Sequence, residues 1–597
     1  MPAASPIENA VGVVRLSILV DGNRLPETAE LISVNIRRAV NTVPTARLVM
    51  TDGDMPAQTF PLSDSAHFKP GTTITVKAGY MDQEETLFEG LVVRHGIQVS
   101  GANDARLIVE CRDKAVLMTV GRRNANFVDQ KDSDIIATLA QGHGLEATVD
   151  ATTATYTELV QHYCSDWDFM LARADANGML VVAQDGALSI KTPTAAGEAA
   201  LCVTYGHDLI EFDGDIDART QYGSAQAFSW DMKNQAVLEG TAADPAALPV
   251  QGDLDSATLS EVIGLDALQL QAGAPQTEAT LTQWAKALQV KAGLARVRGR
   301  VKFQGSAKAV VGGVMELKGC GARFSGKLFV TGVRHEIGDG NWFTEVDFGL
   351  APDWFTDRPD VSATPAAGLL PGVHGLQVGV VMKLDADPAG EHRVQVKVPV
   401  LRAETEGVWA RLMQFHASNA FGAFFLPEVG DEVVLGYFAN DPSHPVVLGS
   451  LYSSKLTPPY AFAAENDTKA IVTRCKSRIE FNEADKIITI TTPGKNKVVL
   501  SDKDKSILLE DQNQNKVELS PSGIVLDSPK NIEITAKGTI TLDAVGKISV
   551  SSKADVKSAG MNVMSEAQIA FSAKGNASAE LNSTGQTVVK GGLVMIN

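Results

Sequence analysis

The C-terminal part of the chain repeats apolar and polar positions with a fixed step. Four segments, GIVLDSPK (523–530), NIEITAKG (531–538), TITLDAVG (539–546) and KISVSSKA (547–554), carry large apolar residues at their second and fourth places. The pairs are Ile524 and Leu526, Ile532 and Ile534, Ile540 and Leu542, and Ile548 and Val550. A spacing of two puts both members of a pair on one face of a strand. A constant period predicts units that stack on one another. One octad is too short to enclose a core. Three strands from three chains can enclose one, with these eight residues turned to a shared axis. The pattern therefore predicts a trimeric, needle-like β structure, with no Trp or Tyr from Ala470 onward and only Phe481 and Phe571 as large rings. A narrow core has no room for more.

Upstream of the octads the echo is coarser. KVVLS (497–501) returns as KVELS (516–520), and the apolar pairs Val498/Leu500, Ile507/Leu509 and Val517/Leu519 are unevenly spaced. This predicts a wider, less regular stem at 475–520 that tightens into the needle.

Residues 12–118 alternate apolar and polar positions between Gly, Asp and Pro turns, the pattern of a small β barrel. A helix is predicted from Asp132, with Ile135, Ile136 and Leu139 on one face. Another is predicted over SDWDFMLARADANG, where Ser165 and Asp168 have capping-box spacing and Gly178 is the stop. The stretch 241–257 reads as a loop. A further helix is predicted over 278–292, with Leu281, Trp284, Leu288 and Ala292 in one stripe. A second β region reaches Leu350, VSATPAAGLLPG has the composition of a linker, and an all-β block follows at 374–455.

Composition narrows the function classes. At 597 residues the chain is long enough for several domains, and its net charge of −18 argues against nucleic acid or an anionic membrane as the main partner. The five cysteines are far apart with no CxxC, which points to isolated thiols, with a disulfide frame or zinc site unexpected. No basic start followed by an apolar run precedes the first strand, so no signal peptide is expected, and synthesis in the cytoplasm follows.

Candidate chemistry is sparse. His143, His162, Cys164, Asp166 and Asp168 lie near one another in sequence, but their spacing fits no ligand pattern, and Asp168 is better explained as a cap. His335 sits in a strand-like run and reads as structural. Asp385, Asp387, Glu391, Glu404 and Glu406 bracket strands of the 374–455 block and read as solvated loop acids. Phe421, Phe424 and Phe425 read as barrel core or as a contact between copies. No catalytic, cofactor-binding or metal-ligating residue is expected, and neither is an enzyme.

Particular motifs carry a resemblance. GVHGLQVGVVMKLDADPAGEHRVQVKVPVL (372–401), VWARLMQF (408–415) and FGAFFLPEVGDEVVLGYFANDPSHPVVLGSLYS (421–453) resemble the OB-fold domain of VgrG and phage baseplate spike proteins. HYCSDWDFMLARADANGMLV (162–181) and GKLFVTGVRHEIGDGNWFTEVDFGL (326–350) resemble the hub of that family, and VVKGGLVMIN (588–597) resembles the end of its β-helix. The resemblance implies a mainly β chain with a hub of two small β-barrels and a few helices over 1–360. It implies a linker at 361–373, an OB-fold neck at 374–455, a connector at 456–474 and a triple-stranded β-helical spike at 475–597. It implies a homotrimer at the end of the inner tube of a contractile injection particle, in contact with tube and baseplate proteins. Such a spike pierces an envelope and carries a PAAR-type tip protein and, in some members, toxin cargo. The wording of the OB segment is closer to extracellular, phage-tail-like systems than to type VI secretion. A peptidoglycan-degrading tail enzyme or a trimeric adhesin are the competing readings. Between Tyr452 and Thr473 there are roughly 20 residues, too few for an inserted catalytic domain. No His follows His444, so a histidine-bound metal tip is not expected and a separate cap is. Leu593, Val594, Met595, Ile596 and Asn597 are the expected docking surface for that cap.

Overall fold

In a computed structural model the chain is described at all residues except 1–2, 9–11, 27, 82, 102–103, 195–196, 243–247, 403–405 and 597. It divides into two units, Met1–Leu451 and Tyr452–Asn597.

The first unit is built on a 13-stranded sheet that joins the two β regions of the sequence. Leu31–Ala39 pairs antiparallel with Gly326–Gly338, bringing residues some 300 positions apart side by side (for example Ile36 beside His335). The sheet covers two separate cores. One gathers Ile36, Leu48, Met50, Ile74, Phe88 and Trp342. The other gathers Val301, Phe303, Leu317, Val330, Val346 and Phe348. Both follow from strict alternation, since a strand with one face on a core buries every second residue.

The helices fall where their caps put them. α1 spans Asp132–Gly142 and α2 spans Asp166–Ala176. The Ser165 hydroxyl accepts from the Asp168 amide at 3.1 Å and donates to the Asp168 carboxylate at 2.6 Å. Gly178 ends the turn at φ 67°, and a Cβ there would lie 3.0 Å from the Ala287 backbone, so both conformation and space call for glycine. α1 and α2 pack with the strands Glu146–Val149, Leu180–Gln184 and Ala187–Lys191 around Ile136, Trp167, Met170 and Val181.

The stretch taken as a loop to 257 in fact enters a helix at its end. α3 spans Ser256–Ile263, with Asp255 as N-cap and Gly264 left-handed at its C-cap. α4 runs Glu278–Ala295, three residues beyond the expected end, and buries Leu281, Ala285 and Leu288 against the sheet of Ser224–Asp231, Ala236–Ala242 and Ala267–Gln271.

Residues 374–455 contain a closed five-stranded barrel. Its strands are Gln377–Lys383, Val394–Lys397, Val408–Leu412, Glu432–Tyr437 and Pro445–Ser450. Its core is Val381, Val394, Val396, Ala410, Val433, Leu435 and Val447. The linker-like stretch before it is not free chain: Pro365–Gly368 forms a 3-10 turn with Ala366 buried, and the Val373 amide donates to the Asn440 carbonyl at 2.8 Å.

The second unit holds a seven-stranded antiparallel meander: Thr468–Val472, Arg478–Asn482, Ile487–Thr491, Lys497–Ser501, Ser506–Glu510, Lys516–Ser520 and Gly523–Asp527. It starts seven residues before Cys475, inside the stretch read as connector. Among the described residues after Asp527 there is no further strand.

Candidate interaction surfaces

The meander is regular in a way its sequence hides. Its turn residues Lys476, Lys486, Lys495, Lys505 and Gln514 are left-handed, at alternating steps of ten and nine positions. Two steps make the nineteen-residue echo of KVVLS and KVELS. Two kinds of turn alternate with them. On one edge Thr473, Thr492 and Asp511 bridge to the residue four positions on through their backbone. On the other, a side chain closes the turn: Asn482 accepts from the Asp485 amide and Ser501 from the Asp504 amide.

This register assembles two apolar rows. Ile471 sits opposite Ile479, and the row continues through Ile490, Val498, Leu509 and Val517 to Leu526. The second row begins at Phe481 and runs through Ile488, Leu500, Ile507 and Leu519 to Ile524. Both rows lie on one face, and most of their side chains are exposed. The opposite face mixes Glu480, Thr489 and Glu518 with Val499, Leu508 and Val525, and carries the ion pairs Arg478–Glu480 and Lys516–Glu518 and a hydrogen bond from Tyr460 to Glu480 at 2.6 Å. The face with the two rows is the uniformly apolar one, and exposed apolar surface of that extent marks a contact surface.

Ile524 and Leu526, expected as the first axial pair of the needle, are the last rung of these rows and lie beside Leu519 and Val517 of their own chain. The first octad therefore pairs within its own chain, while Ile524 and Leu526 stay 71% and 56% exposed. Among the described residues the other three octads pair with no strand, although Ile532 lines a groove beside Val517 and Leu526. Ile532, Ile534, Ile540, Leu542, Ile548 and Val550 are 51–73% exposed. At the tip, Leu593, Val594, Met595 and Ile596 are exposed, Ile596 at 91%, after a bend at Gly592 and Leu593. Asn597 lies outside the described residues.

In the first unit the residues weighed for chemistry resolve into structural roles. His143 Nε2 lies 2.7 Å from Asp166 Oδ2, and Gln161 Nε2 donates to Asp166 Oδ1 at 2.8 Å. His143 caps the end of α1 and Asp166 opens α2, so the contact staples one helix to the other. Cys164 packs with Phe127, Ile135 and Phe169, and burial, helped by Asp168, pushes its thiol pKa up. That is the opposite of what a nucleophile requires. His335 is buried, bonded to Thr344 at 3.0 Å and to the Trp342 indole at 3.3 Å, and burial lowers its pKa to about 3. It stays neutral.

The acids around the barrel are tied into loops. Asp387 accepts from the amides of Ala389 and Glu391 and from Arg393, which holds its carboxyl far below the usual range. Glu406 pairs with Lys383 at 2.5 Å. Asp385 and Glu391 are exposed, and Glu404 lies outside the described residues. Phe421, Phe424 and Phe425 are exposed, so the barrel-core alternative fails. The barrel interior is filled by Val, Ala and Leu, and a five-stranded barrel with that lining has no space for the rings. The same surface includes Phe415, 86% exposed, and Met413.

Two buried polar clusters escaped the sequence reading. Asp132 receives both Arg173 nitrogens at 2.6 and 2.9 Å and Asn177 at 2.7 Å. Asp175 receives Lys291 at 2.6 Å and the Phe355 amide at 2.9 Å, with the Lys291 ammonium 4.8 Å from the Trp354 ring centre. Partners 116 and 180 positions away leave no local signal.

With the geometry in place, comparison with known proteins is informative. Residues 10–339 match the Alg8 N-terminal domain, 377–452 the type VI secretion system/phage-baseplate injector OB domain, and 487–554 the phage baseplate V C-terminal trimerisation domain. The three matches follow one another along the chain, with the closed barrel between the N-terminal domain and the trimerisation segment. The chain belongs to the VgrG and phage-baseplate spike family, with an Alg8-type N-terminal domain. Relatives include the type VI secretion system spike proteins VgrG2a and VgrG1c of Pseudomonas aeruginosa. The first is 33% identical over 113 residues, 17% of this chain and 13% of the relative. The second is 30% identical over 83 residues, 13% of this chain and 11% of the relative. These matches span little more than a tenth of either relative. Among solved structures, the 43 kDa tail protein of prophage MuSo2 from Shewanella oneidensis aligns with a TM-score of 0.44 at 13% identity, over 57% of this chain and 98% of that one.

Proposed function

We propose that the protein is the homotrimeric central spike of a contractile injection particle, with a mechanical role and no active site. The observation that carries this reading is the pair of unbroken apolar rows on the bare face of the meander, whose last five strands lie inside the span that matches a trimerisation domain. Burying such rows is worth roughly 25 cal/mol per Å² of apolar surface in each chain. The octads 531–554 then wind with their counterparts as a triple-stranded β-helix, and each of the two hub cores is the interior of one of two related barrels. The hub meets the inner tube and baseplate. The exposed phenylalanines of 415–425 meet the same surface of the next copy.

The OB wording favours an extracellular, phage-tail-like particle; a type VI secretion spike is the second reading. The apolar end at 593–597 docks a small PAAR-type cap, through which toxin cargo could be attached. Net acidity leaves no role for nucleic acid. Mass photometry of the full chain tests the central claim: the expected particle has three chains, and a well-folded monomer would sink it.

A further inference from the structure

We infer that the meander at 468–527 is the device that sets the register of the needle, its face being closed by the same face of two further copies before the octads wind. This rests on the homotrimer reading above.

The octads cannot set their own register. Each offers an apolar pair at the same two places, Ile followed by Leu, Ile or Val, and from the second octad on these side chains are more than half exposed. Sliding one copy by eight residues along the others re-pairs Ile540 with Ile548 and Leu542 with Val550. Within 523–554 only the terminal octad loses its match, so this stretch by itself is almost as well packed after the slip as before it. Strands whose pattern repeats in this way specify alignment weakly.

The meander differs on each point. It is hydrogen-bonded within one chain through all seven strands, so it can exist as a sheet before any partner arrives. Its bare face is not self-similar under a slip. The second row opens on Phe481, the only aromatic in either row, and Lys469 stands one strand before it in the same line. Moving one copy by a hairpin sets the lysine and the ring against the wrong aliphatic neighbours and leaves two strands uncovered. The last rung, Ile524 and Leu526, is also the first octad, so alignment made on the meander passes directly into the needle. A sheet that forms alone and matches copies in only one way precedes a repeat that does neither.

Disulfide mapping in the full chain tests this. With Cys475→Ser as background, Ile540→Cys and Ile548→Cys are introduced together, the protein is mildly oxidised, and linked peptides are identified by mass spectrometry. In the parent meander only same-position pairs, 540 with 540 and 548 with 548, are expected. With Ile490→Ser added, weakening the first row, mixed 540–548 pairs should rise to about a tenth of the linked peptides. If the parent form is not a three-chain particle by mass photometry, the trimer reading itself fails. If the parent is a trimer and the Ile490→Ser trimer still gives only same-position pairs, the register proposal is overturned. Should Ile490→Ser not assemble, Ile490→Ala decides by the same two patterns. Its failure to assemble would count for the proposal, since the octads alone would then not hold three chains.

Discussion

At the scale of single residues the chain separates side chains by what surrounds them. Cys111 is sealed in the hub, and burial raises its thiol to about 12. Cys475 stands exposed in the first turn of the meander, where hydrogen bonds from Ser477 and Thr473 lower its thiol to about 7. The thiolate is the reactive form and accumulates above the pKa. Alkylation of the native protein by iodoacetamide should therefore rise through about pH 7 at Cys475, while Cys111 stays unmodified until denaturant is added. Peptide mapping checks both sites; equal labelling would contradict the burial of Cys111.

Ile540 poses the matching question for the needle. If it points to a shared axis, Ile540→Asp brings three carboxylates into an apolar core, at roughly 2–7 kcal/mol for each polar group buried without a partner. Like charges so close resist ionising together. Loss of the three-chain particle or accumulation as inclusion bodies is the expected result. A variant that assembles and melts like the parent would place this residue outside.

At the scale of elements, ends matter as much as faces. α2 is defined by Ser165 at one end and by Gly178 at the other, and both were legible because caps are local chemistry. Gly178→Ala should destabilise the hub by about 1–2 kcal/mol, from the left-handed backbone alone, and by more because the new methyl meets the Ala287 backbone at 3.0 Å. A lowered urea midpoint for hub unfolding, read by tryptophan fluorescence, would show it. α3 went unread for a related reason: it is eight residues long and follows a Pro- and Asp-rich stretch that resembles loop. The meander was read as an irregular stem because its apolar pairs are unevenly spaced along the chain. Alternating steps of ten and nine residues bring them level in space, since two turn types of different length alternate. The nineteen-residue echo is two strand-and-turn steps, and in that spacing the rows are already encoded.

Across the whole molecule, one chain leaves apolar surface bare at the meander, the octads and residues 593–596. The tip is the simplest case. Deleting residues 593–597 should leave the trimer intact, because the rows and octads lie upstream. It should abolish co-purification with the cap protein and reduce delivery. A truncated spike that keeps its cap would move the docking site to the flanks of the needle or to another domain.

What the amino-acid order determined by itself was everything with a short period or a local cap. The octads, the barrel block at 374–455, the starts of α1, α2 and α4, and the ordinary roles of Asp168 and His335 all follow from neighbours within a few positions. Periodicity and capping are properties of adjacent residues, so they survive without coordinates. The tertiary structure alone decided which distant residues meet. It joined the two hub β regions through Ile36 and His335, buried Asp132 and Asp175 with partners far along the chain, and excluded Phe421, Phe424 and Phe425 from the barrel. It also turned uneven spacings into two continuous apolar rows. Register and long-range pairing depend on turn lengths and packing summed over many elements, and no window of sequence contains that sum.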